Sequence, residues 1–355
     1  MAPAVVARLF PVRSFIRMTT QMMSVRVAMV SAGLAMVGLP AEAAYETIFL
    51  DGFEASSIDL EHWNPQVYDH DGGAVLVTVE EGGAVRSGKQ ALRIKLAVDD
   101  DTDPGGKHRS ELRPRRSSSE LSYRAPYGLL HRYAFSLYLP EDWSPDAPEI
   151  VAQWHGRPDR DEFGADLEPL RSPPMALRMT YIQVSEEPPS YVPAWEVLLH
   201  WDDTRYTPED KSTVRLVRLT DPTDATGDLG RWVDWVFEVR WSYEPEGKGR
   251  VRVWRDGAQV VDYVGPNAFN DDLGPNSKIG IYKWIWPTSS VDLRVAYYDD
   301  VSIERQTTAL PAVPFGGLVL GSAGLCVWAL TMAMGACRRA RPMNRDRLRP
   351  TPKSD

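Results

Sequence analysis

Tyr133-Ala134-Phe135-Ser136-Leu137-Tyr138-Leu139 sets Tyr133, Phe135, Leu137 and Leu139 on one side of the chain and Ala134, Ser136 and Tyr138 on the other. Successive side chains of an extended chain point to opposite faces, so the stretch reads as a strand with one face against a core. The same period recurs. Leu92, Ile94 and Leu96 alternate with Arg93 and Lys95, and further runs fall at residues 176–184, 195–201, 232–241, 249–254, 258–264 and 291–303. Gly, Pro, Asp and Asn bound them, as they bound strands generally. Arg255-Asp256-Gly257 separates two runs, and Asp-Gly tolerates the positive φ of a tight hairpin. Helical periodicity, internal repeats and an interrupting linker are missing from residues 44–305. Many strands in one such stretch predict an all-β domain: a two-sheet antiparallel jelly-roll sandwich of the concanavalin A-like kind.

The two ends read differently. Arg8, Arg13, Arg17 and Arg26 precede an uncharged run at residues 27–40, which closes on Ala41-Glu42-Ala43. Basic region, apolar region and small-x-small site make residues 1–43 a signal peptide. Residues 315–336 are apolar or small, long enough to span a bilayer, and six arginines follow within 338–355. Residues 306–355 thus form an anchor tail that resembles the bacterial sorting tails cut by exosortase-type transpeptidases, without their Pro-Glu-Pro triplet. A plain anchor has the same pattern. The expectation is an exported domain at 44–305, held at the membrane or released after processing, and a monomer.

Both cysteines, Cys326 and Cys337, lie in the tail, so the domain uses neither disulfides nor thiol chemistry. The whole chain carries −9; the leader contributes +3 and the tail +5, leaving −17 on residues 44–305. A domain this acidic is no nucleic-acid binder, and any anionic substrate must meet a local basic patch.

Three segments supply such a patch. In His108-Arg109-Ser110-Glu111-Leu112-Arg113, alternation gives Arg109, Glu111 and Arg113 one face. In Val151-Ala152-Gln153-Trp154-His155, Gln153 and His155 share a face. In Lys278-Ile279-Gly280-Ile281-Tyr282-Lys283-Trp284, Lys278, Gly280, Tyr282 and Trp284 do. If these faces converge, the groove holds the groups that β-elimination at a uronic acid needs. Charge developing beside the carboxylate must be stabilised, which suits Arg109 and Gln153, with Glu111 holding Arg109 in a bidentate pair. A base must take the C5 proton and an acid must protonate the departing O4. His155, titrating near neutrality, and Tyr282, its pKa lowered by cations such as Lys278, fit those roles. Gly280 leaves room for a ligand at the backbone, Arg113 binds substrate, and Trp284 and Trp286 are placed to stack on sugar rings or pack in the core. His62, His70, His108, His131 and His200 lack metal-ligand spacing.

Arg-Ser-Glu-Leu, Gln-x-His and Lys-x-Gly-x-Tyr, in this order, resemble the jelly-roll polysaccharide lyases: alginate lyases, heparin lyase I and glucuronan lyases. The likeness covers about residues 48–305. Trp154 within Gln-Trp-His, and the framework from Gly230-Arg231-Trp232 through Trp254, Gly257 and Gly265-Pro266, look most like the glucuronan and heparin lyase I branch. Alginate lyases often follow the tyrosine with Asn and Gln, where this chain has Lys283 and Trp284. The resemblance implies a polyuronate lyase, glucuronan-like in substrate, with Arg109, Gln153, His155, Lys278 and Tyr282 as its site.

No cofactor is needed for this chemistry. A structural Ca²⁺ is expected from the acidic turns that open and close the domain, with Asp51, Glu54 and Asp300 as ligands. Two rivals stand beside the lyase. A glycoside hydrolase of the same fold would need two carboxylates flanking the bond, and no close acidic run on a strand supplies them. A non-catalytic carbohydrate-binding surface protein would suit the twelve tryptophans and the tail without needing His155 or Tyr282.

Overall fold

The computed structural model describes residues 44–67, 72–115, 123–159, 171–208, 210–246, 248–286 and 291–307. The expected leader and tail fall outside them. Among the described residues no helix is long and apolar enough to cross a membrane.

The alternating runs form two antiparallel sheets. The back sheet holds β1 (Tyr45–Asp51), β3 (Ala74–Thr78), β4 (Gln90–Ala97), β6 (Leu130–Tyr138), β12 (Trp232–Arg240), β13 (Arg250–Arg255), β14 (Ala258–Val264) and β16 (Leu293–Gln306). Its order is β14-β13-β12-β6-β16-β4-β3, with β1 beside β16. The front sheet holds β2 (Trp63–Val67), β5 (His108–Pro114), β7 (Glu149–His155), β8 (Met175–Glu186), β9 (Pro189–Trp201), β10 (Arg215–Arg218), β11 (Thr223–Asp224) and β15 (Asn276–Lys283). Its order is β10-β9-β8-β7-β15-β5-β2, with β11 beside β9. Strands remote in sequence lie side by side, so sheet order is set by tertiary pairing. The predicted hairpin joins β13 to β14, with Asp256 at φ 49° and Gly257 at φ 77°.

Aromatic side chains fuse the sheets face to face. Trp154 of the front sheet packs on Phe237 of the back sheet at 4.6 Å and on Tyr133 at 5.4 Å, and Trp195 meets Trp235 edge-on at 5.2 Å. Trp154 is therefore a core wedge between Gln153 and His155, whose side chains turn the other way. Truncating such a buried ring costs about 3–5 kcal/mol.

Two irregularities shape the front sheet where β7 meets its neighbours. Pairing between β15 and β7 shifts register between Ile279 and Tyr282, and pairing between β7 and β8 shifts between Ile150 and Ala152. Each inserts a residue and re-aims its neighbours, as β-bulges do. Gly280 sits at one, at φ 129°, where a Cβ would meet Ser110 O at 2.3 Å and Glu111 Cα at 2.6 Å. The glycine's space is thus taken by β5, which corrects the expectation of an approaching ligand. From behind, the buried Tyr298 hydroxyl of β16 reaches both bulges, lying 2.7 Å from Val151 O and 3.2 Å from Gly280 O.

Candidate active site

The three motif strands are neighbours, in the order β7-β15-β5. Cross-strand register sets Arg109 opposite Tyr282 and Tyr282 opposite Ile150; Lys278 faces Gln153, and Asn276 faces His155. Along the strands, the Gln153–Lys278 rung therefore stands between Tyr282 and His155. Above them lies a groove of about 750 Å³, lined by Arg109, Gln153, His155, Tyr282 and Trp284 of the expected residues. Ser110 and Leu112 turn into the interior, as alternation requires.

Glu111 is the hub. Buried beneath the groove, it accepts from Gln153 Nε2, lies 3.3 Å from Arg109 Nη1, and lies 3.6 Å from Lys278 Nζ. A buried carboxylate is tolerable only when so compensated. The expected bidentate pair is not formed: Arg109 divides its fork, with Nη2 2.6 Å from Asp103 Oδ2. Asp103 belongs to the Asp103-Pro104-Gly105-Gly106 turn before β5, where its Oδ1 accepts from the backbone N–H groups of Gly105 and Lys107. That turn fixes the carboxylate which then draws off half of Arg109. Arg113 does not line the groove; it lies opposite Asn64 of β2. Lys278 is buried at the hub rather than exposed to substrate.

The protonation states also differ from expectation. Burial raises the Tyr282 pKa, against the pull of Arg109, whose guanidinium lies 4.4 Å from the ring centroid. Tyr282 thus rests as a neutral phenol, and the cation working on it is Arg109, not Lys278. Burial, then Lys278, depresses His155 to about 3, so it rests as neutral imidazole rather than titrating near 7. Its Nδ1 lies 2.8 Å from Gly156 O. A carbonyl only accepts, so Nδ1 carries the proton and Nε2 keeps its lone pair. Gln153 Oε1 is buried with no hydrogen-bond partner. Trp284 tilts against Tyr282 at 6.0 Å and lines the groove. Trp286 instead packs edge-on against His108 at 5.2 Å and donates to Val291 O.

The groove extends well beyond the motifs. Lys107, Arg171, Arg178, Lys211, Arg218 and His200 also line it, and Asp103 is its one carboxylate among the described residues. Among the described residues no second carboxylate joins Asp103 in the groove, and Asp103 is paired with Arg109, so the described lining does not present the two flanking carboxylates of a glycoside hydrolase.

The expected Ca²⁺ ligands do not converge. The opening and closing turns do meet, Asp51 pairing with Val301. Yet Asp51 accepts from Phe53 N–H and Trp63 Nε1–H, Glu54 from Lys89 N–H, and Asp300 from the Ser87 hydroxyl. Among the described residues no three acidic, His or Cys groups gather to hold a metal. These side chains alone do not make the cage expected from the sequence.

The ordered motifs thus share one groove, and a family model described as Polysaccharide lyase matches residues 57–302. The chain belongs to the polysaccharide lyase family. Among solved structures this lyase is similar to the endo-β-1,4-glucuronan lyase of the fungus Trichoderma reesei, with TM-score 0.52 and 20% identity over 74% of this chain and 96% of that one. It is also similar to alginate lyase PA1167 from Pseudomonas aeruginosa, with TM-score 0.42 and 17% identity over 69% and 98% of the two chains. Alginate lyase A1-II′ gives TM-score 0.42 and 16% identity over 70% and 96%. At such identities the glucuronan lyase likeness is one of fold. No curated protein matches the chain.

Proposed function

We propose that this polysaccharide lyase cleaves a polyuronate, glucuronan-like in its sugar, by β-elimination that leaves an unsaturated uronate end. The observation carrying the reading is the shared groove of Tyr282, His155 and Gln153 over the Glu111 hub, with cations as most of its charged lining. The uronate carboxylate lies against Arg109 and the second N–H of the Gln153 amide, the first being donated to Glu111, and these donors stabilise charge developing at C5. In glucuronate, H5 and O4 lie on one side of the ring. Tyr282 then serves both: once its own proton has passed to solvent, a loss that burial opposes and Arg109 eases, the phenolate takes H5 and the phenol returns that proton to O4. In guluronate or iduronate they lie on opposite sides. The open Nε2 of neutral His155 would serve that second route, with His155 taking H5 and Tyr282 protonating O4.

A panel of defined polyuronates, followed by ultraviolet absorbance of the unsaturated product, tests the reading. Glucuronan should be cleaved fastest; no absorbance from any polyuronate would overturn it. The proposal for the ends is export and membrane anchoring. A polypeptide of residues 44–307 should accordingly be soluble, monomeric and as active as the full chain, checked by size-exclusion chromatography and the same assay.

A further inference from the structure

The groove continues over β8, β9 and β10, where a second buried carboxylate holds two arginines. Glu196 is fully buried. Arg178 contacts its Oε2 through Nε at 2.8 Å and through Nη2, and Arg218 Nε lies 3.0 Å from its Oε1. One carboxylate against two guanidiniums leaves a net positive charge, and both arginines line the groove. Arg218 makes no other hydrogen bond or ion pair among the described residues, so its terminal nitrogens keep donors toward the groove. Around Glu111, by contrast, Arg109 and Lys278 are matched by Glu111 and Asp103.

Register fixes where this cluster lies. Arg109, Tyr282, Ile150, Arg178 and Glu196 stand opposite one another across five adjacent strands. A parallel rung runs Lys278, Gln153, Ala176, Leu198 and Arg218. Each rung is charged or polar at both ends and apolar between, with Ile150, Ala176 and Leu198 as floor. From β15 to β10, which carries Arg218, is four strand spacings, on the order of 19 Å. That is too far for Arg218 to reach the carboxylate of the sugar at Tyr282, but within reach of a sugar further along the polymer. Trp284, with Arg178 5.7 Å from its ring centroid, bridges the two ends.

We infer that Arg178 and Arg218, held by Glu196, form a second carboxylate-binding subsite that engages a uronate beyond the sugar undergoing elimination. The inference rests on the polyuronate reading. The polymer then runs across the strands from β15 toward β10, its intervening ring on the apolar floor.

Arg218→Gln tests it, because β10 is an edge strand and the side chain is half-exposed. On uronate oligomers of increasing length, the loss in kcat/KM should grow with length to roughly 10-fold, the worth of one charge-assisted contact. In a Tyr282→Phe background, where turnover is expected to be slow enough for binding to be measured, Arg218→Gln should weaken binding of the polyuronate. It should leave binding of the same polymer with its carboxyls reduced to alcohols unchanged. An equal loss at every length, or no loss on the polymer, overturns the inference while cleavage by the unaltered protein upholds the lyase reading. Arg218-dependent binding in a protein that cleaves no polyuronate does the reverse. Equal, Arg218-dependent binding of a sulfated neutral glucan would overturn the carboxylate assignment.

Discussion

Both sheets carry a buried glutamate between two arginines, and the two arrangements differ in what they leave unsatisfied. On the back sheet Glu238 stands opposite Arg132 and Arg252 in register and contacts both. Arg132 also lies 3.1 Å from Glu304, the Tyr45 hydroxyl donates to Glu238, and Tyr45 and Trp254 lie against the two guanidiniums. Charges there balance and ring faces cover the cations. On the front sheet Glu196 has two arginines, no second acid among the described residues matches them, and both side chains line a groove. Residue types are the same. What separates a structural ladder from a binding surface is the count of donors left over, and that depends on neighbours across the sheet.

Substitutions on the two faces should therefore fall into different classes. The largest effect belongs to the front sheet. Tyr282→Phe keeps the ring and its packing and deletes the hydroxyl, so turnover should fall at least about 100-fold with little change in melting midpoint. A folded variant with near wild-type turnover would remove Tyr282 from the chemistry. Arg109→Ala comes next. It should lower both affinity and turnover, by roughly 10-fold or more in kcat/KM, and cost about 1–3 kcal/mol because Glu111 and Asp103 lose a partner. Affinity and stability both unchanged would contradict the hub.

A smaller effect spans both sheets. Burial depresses His155 to about 3 and His131 to about 4, and lowers His200 as well. The unfolded chain takes up these protons near pH 6.5, while the folded chain resists until about 3 at His155 and about 4 at His131. Between those limits the unfolded state binds more protons, so stability must fall as pH drops below about 6.5 and level off above it. Each histidine contributes a slope of up to about 1.4 kcal/mol per pH unit. Replacing His131 of the back sheet by Gln should flatten the curve of melting midpoint against pH and spare activity. Replacing His155 should flatten it and reduce activity as well. An unchanged slope in both variants would mean that neither imidazole is held neutral.

The smallest effect tests the comparison directly. Glu238→Gln should cost about 1–3 kcal/mol of stability through its unpaired arginines and change polyuronate cleavage by less than about two-fold. A length-dependent loss of cleavage would make the back sheet a substrate surface too.

How much of this was legible in the sequence follows from the range of each interaction. Alternation along residues 133–139 and 108–113 needs no partner to be read, and it set the correct faces. The convergence of Arg109, Gln153, His155 and Tyr282 on one groove was readable because three short motifs each keep a period of two. Arg178 and Arg218 escaped notice: their importance depends on Glu196 lying beneath them, which only strand pairing reveals. The bulges at Val151 and Gly280 are likewise products of pairing. The Tyr282 and His155 pKa directions were misjudged for one reason: charges beside a residue are visible in sequence, but the burial that outweighs them is not. Asp103 carries no signal in the sequence beyond its Asp-Pro-Gly-Gly turn, and only the fold shows that it also holds half of Arg109.

Tyr298 carries a consequence for anyone who would move this groove elsewhere. Its hydroxyl, rooted in the back sheet, is the shared anchor of the Val151 and Gly280 bulges that aim the reactive side chains. A transplant of the front strands with every lining residue in place would still arrive with two buried carbonyls lacking their donor. The smallest portable version of this site includes a tyrosine from the opposite sheet that no substrate ever touches.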